Sequence, residues 1–220
     1  MTAFEVVSFR RGPFWNLAYL LIDSETREAA IIDPAWDIHA ILAEAAAREL
    51  HVSTAILTHG HFDHAHGLDT LITRTGARII LHEAEVAEVR QDYAGPLEAL
   101  DGAATLTLGS ATLEILPTPG HSPGSLAIRA RDDLFTGDTL MSGAIGRPGY
   151  EPGALSAFWQ TVSTTLRDLP AHLTIRPGHD SGPTPTSTLA LERARLPALT
   201  ATTYEGFALA VAAATGRRRG

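Results

Sequence analysis

The stretch His59-Gly60-His61-Phe62-Asp63-His64-Ala65-His66 places four histidines and a carboxylate within eight positions. Imidazole and carboxylate are the preferred ligands of zinc and of non-haem iron. The chain holds ten histidines and no cysteine, so a transition-metal site here has to be built from histidine and carboxylate. A solvated loop has no reason to collect four of the ten. The alternative is a His-rich surface stretch with adventitious affinity. One segment supplies only a few ligands, so a metal site demands a fold that carries other parts of the chain to this one.

The periodicity of the chain predicts such a fold. Segments 4–9, 17–22 and 29–32 read as strands, and Ile38, Ile41, Leu42, Ala45 and Leu50 keep a helical spacing over 38–50. A strand over 54–58 runs into the histidine cluster. A helix over 68–75 ends at Gly76, followed by a strand at 78–81 and a helix at 83–91. Short strands at 105–108, 112–116, 125–130 and 134–136 come next. A helix over 154–168, a strand at 173–176 and helices at 186–195 and 202–215 complete the pattern. No tandem repeat or low-complexity linker interrupts it. Each half is a run of strands followed by helices. The expected fold is therefore α/β, a four-layer αββα sandwich, formed as a single domain over 1–215 with a disordered tail at 216–220.

Three later motifs each put a metal-ligand residue type just after a predicted strand and beside a glycine. They are Pro119-Gly120-His121-Ser122-Pro123-Gly124, then Phe135-Thr136-Gly137-Asp138-Thr139, then Pro177-Gly178-His179-Asp180. Backbone bends readily at such positions, and a side chain there can reach into a shared cleft.

The pattern His59-x-His61-x-Asp63-His64, then His121, Asp138 and His179, resembles the metallo-β-lactamase superfamily. The resemblance spans about residues 14–181. It implies an αββα sandwich with a metal cleft along one edge. It also implies that His59, His61 and His121 hold a first metal, that Asp63, His64 and His179 hold a second, and that Asp138 bridges both. Two divalent ions, zinc or else Fe2+ or a Zn/Fe mixture, would lower the pKa of water from about 16 toward 7. Asp33, at a strand end, is expected to orient a ligand histidine, and Asp180 to orient His179. His66 lies where the superfamily varies, His82 is assigned a structural role, and His39, His51 and His172 are read as surface residues.

Within the superfamily, Phe135 to Leu140 and Gly146-Arg147 resemble the glyoxalase II and persulfide dioxygenase branch. In glyoxalase II-like enzymes a basic residue at the Arg147 position meets the carboxylate of glutathione, a task that suits a guanidinium fork. Tyr150 lies one step beyond the expected tyrosine position, which is Gly149 here, and the usual Gly-Cys-Gly-basic loop reads Ala144-Ile145-Gly146-Arg147. About 40 residues follow His179, fewer than the helical domain of long glyoxalase II forms requires. The implied activity is hydrolysis of a thioester of the S-2-hydroxyacyl-thiol type by metal-bound hydroxide, with Asp63 and Asp138 as the catalytic carboxylates. The alternative is a persulfide dioxygenase with one Fe(II) on His59, His121 and Asp138. A lactonase or β-lactamase-like hydrolase is the third reading, and a silent binding protein on the same fold is the fourth.

The resemblance implies a small-molecule thioester as the partner, and composition argues against nucleic acid and membrane. A net charge of −8 argues against non-specific nucleic-acid binding, and the one basic run, Arg217-Arg218-Arg219, sits at the C-terminus. No apolar segment is long enough to span a bilayer, and the N-terminus lacks the layout of a signal peptide. The absence of cysteine fits a cytoplasmic location.

Overall fold

A computed structural model describes residues 4–216. Two six-stranded sheets face each other. The first is built in chain order from β1 (Phe4–Arg11), β2 (Asn16–Asp23), β3 (Glu28–Ile32), β4 (His51–Ile56), β5 (Arg78–His82) and β6 (Glu98–Leu100). Its first three strands pair antiparallel and the rest parallel. The helices α1 (Ile38–Ala47), α2 (Phe62–Ala65), α3 (Leu68–Thr75) and α4 (Val86–Val89) fall between or after its strands.

The second sheet begins with β7 (Ala104–Leu108), β8 (Ala111–Pro117), β9 (Leu126–Ala130) and β10 (Asp133–Gly137). A small separate hairpin follows, β11 (Leu140–Met141) with β12 (Ala144–Ile145). The helix α5 (Ala154–Gln160) continues into a wider-wound segment, Thr161–Leu166. The sheet is completed by β13 (Thr174–Pro177), parallel to β10, and β14 (Ser187–Thr188). Three helices end the described chain: α6 (Leu189–Arg195), α7 (Pro197–Thr200) and α8 (Tyr204–Gly216).

The layering follows from the period-two alternation of side chains along each strand. Tyr19, Leu21, Ile32, Ile56 and Ile80 point inward and meet Leu113, Ile115, Leu126, Ile128 and Phe135 of the opposing sheet. Their neighbours Leu20, Ile22, Ile31, Ala55 and Ile79 point outward, onto Ile38 and Ile41 of α1 and Leu68 and Leu71 of α3. On the other flank Ala127, Leu134 and Ile175 cover Phe158, Val162, Leu189 and Phe207. Every residue of β2 is buried, because both faces of that strand carry a layer. The expected αββα sandwich is thus the observed one.

The differences from the predicted elements lie in short pieces. α2, α7, β6 and the β11–β12 hairpin are each two to four residues long, too short to show a period. The helix expected over 83–91 is a single tight turn, Glu83–Glu85, followed by α4. The expected tail starts at Gly216, the last described residue, and its Arg217–Arg219 run lies outside the described residues. Among the described residues no helix is long and apolar enough to cross a membrane.

At the edge where β2 ends, Asp23 joins the sheets. Its buried carboxylate accepts from the Ser110 hydroxyl at 2.6 Å and the Ser110 N–H at 2.7 Å, in the β7–β8 turn. It also accepts from the N–H groups of Glu25 and Thr26, each at 3.0 Å. The Ser110 hydroxyl, with these N–H donors, holds the carboxyl well below the usual Asp range. A lowered folded-state pKa stabilises the fold above the unfolded value of about 3.9, and that contribution is lost as the pH falls. Asp23→Ala is therefore expected to lower the melting temperature at pH 7, with a deficit that narrows below about pH 4 in thermal melts of both proteins.

Candidate metal centre

The strands β4, β8, β10 and β13 all end at the opposite edge of the sandwich, and each is followed by one of the four motifs. Backbone bonds stitch the two sheets together there. The Leu126 N–H donates to the Thr58 carbonyl at 2.7 Å, and the Leu17 N–H to the Gly178 carbonyl at 2.8 Å. Within the second sheet the Gly178 N–H donates to the Gly137 carbonyl at 2.8 Å, which sets the His179 turn beside the Asp138 turn. Residues as far apart in sequence as Asp63 and His179 thereby become neighbours.

The seven expected ligands converge. His61 Nδ1 and His121 Nε2 lie 3.1 Å apart, and His64 Nε2 and His179 Nε2 lie 3.2 Å apart. The Asp138 carboxylate sits among them, with Oδ2 at 3.4 Å from His179 Nε2 and 3.6 Å from His121 Nε2, and Oδ1 at 3.6 Å from His64 Nε2. Asp63 Oδ2 lies 3.5 Å from His179 Nε2. Three groups are spaced to hold a metal ion: His59, His61 and His121; His59, His64 and Asp138; Asp63, His64 and His179.

The outward-facing atoms explain how the rings are aimed. His121 Nδ1–H donates to the Arg147 carbonyl and His179 Nδ1–H to the Phe14 carbonyl, each at 2.9 Å. His64 Nδ1–H donates to Asp33 Oδ2 at 3.0 Å. The Thr58 hydroxyl gives its proton to Asp33 Oδ2 at 2.7 Å and so accepts from His59 Nδ1–H at 3.0 Å. Four imidazoles therefore donate outward through Nδ1 and aim Nε2 inward, where it can bind a metal once it is free of a proton. His59 Nε2 and Asp138 Oδ1 are buried with no hydrogen-bond partner among the described residues. A buried acceptor left unpaired is costly. Divalent cations between these donors would satisfy all of them, so the residues fit the group the sequence pattern implies.

The supporting side chains include the expected and the unexpected. Asp33 takes a left-handed backbone, φ 49°, and from there also accepts the Thr58 N–H at 2.7 Å. It aims His64 directly and His59 through Thr58. Sequence reading did not single out Thr58 or Asn16. The Asn16 amide donates to Asp63 Oδ2 at 2.8 Å and is itself fixed by the Trp36 indole N–H at 3.0 Å. An isolated backbone bridge joins Asn16 to His179, just after β13, and no local motif signals it. Asp180 does not touch the His179 ring; its carboxylate pairs with Arg10 at 2.8 Å, and the Phe14 carbonyl does the orienting instead. His66 stacks on Trp36 with centroids 4.4 Å apart. His82 Nδ1 accepts from the Ala84 N–H and caps the turn there. His39, His51 and His172 are exposed. Arg147 and Tyr150 are exposed, the guanidinium 5.0 Å from the ring centroid, with Tyr150 84% exposed.

Charge and burial set the protonation states. Burial pushes the His59 pKa well down, and the charge on nearby His64 adds to this. Burial alone would lower His64 as well, but Asp33 and Asp138 outweigh it and raise its pKa to about 9. Burial opposes the charge on Asp138, yet His64 and His179 hold its carboxyl far below the usual range. A proton on His64 therefore competes with a metal below about pH 9. The zinc affinity of metal-stripped protein should rise with pH from 7 to about 9 in chelator-competition titrations, and a flat profile would contradict this assignment. Asp33→Asn presents an amide where Thr58 and His64 both donate. It should weaken metal binding by roughly 10–100-fold in the same titration.

Comparison with known proteins agrees with this geometry. The pattern described as "Metallo-beta-lactamase superfamily" matches residues 12–200. The chain is 34% identical over 212 residues to a hydroxyacylglutathione hydrolase of Anaeromyxobacter dehalogenans, covering 92% of this chain and 79% of that protein. It is 26% identical over 170 residues to the probable polyketide biosynthesis zinc-dependent hydrolase PksB of Bacillus subtilis, covering 77% and 75%. The crystal structure of ETHE1 from Myxococcus xanthus superposes with a TM-score of 0.81 at 25% identity, covering 92% of this chain and 88% of that one. With the sandwich, the seven converging donors and the family match in agreement, the chain belongs to the metallo-β-lactamase superfamily of metallo-hydrolases.

Proposed function

We propose that this protein hydrolyses a small-molecule thioester of the S-2-hydroxyacyl-thiol type, acting in the cytoplasm with two divalent metal ions, zinc in the first instance. The observation that carries the reading is the pair of three-donor groups on either side of Asp138, in a chain 34% identical to a hydroxyacylglutathione hydrolase. His59, His61 and His121 would hold one ion, Asp63, His64 and His179 the other, and Asp138 would contribute to both. Bound ions would supply Lewis acidity toward the thioester carbonyl and make water acidic enough to ionise near neutral pH.

The chain's own groups supply the rest. Asn16 holds the Asp63 carboxylate in one orientation, so Asp63 can accept a proton from the attacking water while its position stays fixed. Asp138, whose carboxyl already lies far below the usual range without metal, would supply negative charge between two cations that would otherwise repel. Arg147 has its carbonyl bound to His121 and its side chain exposed. In this reading it would meet a carboxylate on the thiol portion, and its contact with the Tyr150 ring would steady it. No serine or cysteine nucleophile is required, and the chain has no cysteine to provide one.

Metal analysis of protein purified without added metal, beside two assays, tests the reading. Two zinc ions per chain with cleavage of S-lactoylglutathione support it. One iron per chain with oxygen consumption on glutathione persulfide would replace it with the dioxygenase reading, in which His59, His121 and Asp138 hold the iron. Arg147→Ala should raise KM at least fivefold for a carboxylate-bearing thioester and leave kcat within twofold, the signature of lost ground-state binding. An unchanged KM would remove Arg147 from the substrate site.

A further inference from the structure

Among the buried acids that the metal centre and the proposed reaction leave unused, one touches the turns that carry the donors. Glu85 is only 2% exposed and lies in the turn after β5, at the same edge of the sandwich as the histidines. Its Oε2 accepts the Gly60 N–H at 2.7 Å, and its Oε1 accepts the Gly124 N–H at 2.6 Å. Gly60 stands between His59 and His61, in the turn after β4 of the first sheet. Gly124 closes the His121 turn, which leads into β9 of the second sheet. One carboxylate thus bridges the two turns that carry His59, His61 and His121, and it bridges the two sheets as well.

Both glycines are needed for the approach. A Cβ on Gly60 would lie 2.9 Å from Glu85 Oε2, and a Cβ on Gly124 would lie 2.7 Å from Glu85 Cγ. Hydrogen bonds from backbone N–H to a buried carboxylate are short and strong, and two of them fix the acid at both oxygens. Glu85 makes no hydrogen bond to the His179 turn, which the Phe14 carbonyl holds, and it reaches Asp63 and His64 only through the turn that leads into α2, where Asn16 holds Asp63.

We propose that Glu85 is a positioning residue that pre-sets the three-histidine group by clamping the His59–His61 turn to the His121 turn, and that it acts far more on this group, whose two turns it holds, than on the Asp63, His64, His179 group. The inference rests on the assignment of His59, His61 and His121 to one ion. The clamp belongs to the polypeptide, so it holds the three histidines in place before any ion arrives. An amide at position 85 keeps the shape but turns a donor toward one N–H and loses that bond.

Zinc affinity measured by chelator competition in two backgrounds tests it. A His179→Ala background isolates the three-histidine group, and a His61→Ala background isolates the other. Glu85→Gln should weaken zinc at least tenfold in the first and leave it within twofold in the second. Equal losses in both would make Glu85 a general structural residue, and no loss in either would make the clamp idle; each overturns the proposal. If the His179→Ala protein with Glu85 intact binds no zinc, the three-histidine assignment itself is wrong, an outcome distinct from the other two. Amide exchange in the unsubstituted, metal-stripped chain gives a reading that does not depend on whether a variant folds. The Gly60 and Gly124 amides should stay protected after chelation, and their rapid exchange would overturn the proposal.

Discussion

Five imidazoles and two carboxylates are drawn into one edge of this sandwich, with ring nitrogens little more than 3 Å apart. That crowding is the constraint on which the rest of the structure depends. It leaves His59 Nε2 and Asp138 Oδ1 buried without a hydrogen-bond partner among the described residues, and the surrounding framework holds the members in place. The three apolar layers provide that framework: strand ends from both sheets are locked in register by Ile56, Ile80, Ile128 and Phe135, and no ligand loop can withdraw without breaking the layer beneath it.

Buried carboxylates complete the holding, and four of them accept backbone N–H groups from distant segments. Asp23 joins β2 to the β7–β8 turn, Asp33 joins β3 to Thr58, Glu85 joins Gly60 to Gly124, and Glu192 takes the Gly143 N–H at 2.9 Å beside the β11–β12 hairpin. A buried charge needs hydrogen-bond partners, and here the partners are backbone groups of turns that lack secondary-structure pairing. The same contact satisfies the acid and fixes the turn. Three of the four lie near the metal-binding edge or its adjoining hairpin, and Asp23 closes the far edge. The fold is thereby pinned at both ends of its sheets, with the centre left to apolar packing.

Much of this was legible in the sequence. The alternation of apolar residues marked the strands, and the four strand-end motifs marked the donors, because a ligand side chain is specified by its residue type and the bend beside it. The remainder was hidden for physical reasons. Thr58 acts by tying its neighbour His59 to Asp33, which the pairing of β3 with β4 brings near, and Asn16 acts on Asp63 from 47 residues away, so their residue types carry no local signal. The oxygens that orient His121 and His179 are main-chain carbonyls of Arg147 and Phe14, and any residue could supply them. Asp180 shows the opposite error: adjacency in sequence suggested contact with His179, but its side chain turns to Arg10. Glu85 sits in a stretch read only as helix, and its role comes from two glycines 25 and 39 residues away.

The central claim is that the donors stand ready for two metal ions that share Asp138. Anomalous diffraction from crystals of zinc-loaded protein, collected on both sides of the zinc edge, tests this most directly. The account predicts two anomalous peaks, one within the His59, His61, His121 group and one within the Asp63, His64, His179 group, with Asp138 between them and ring positions within about 0.5 Å of those described. A single peak, peaks away from Asp138, or histidines that must swing to new rotamers to reach the ions would contradict it.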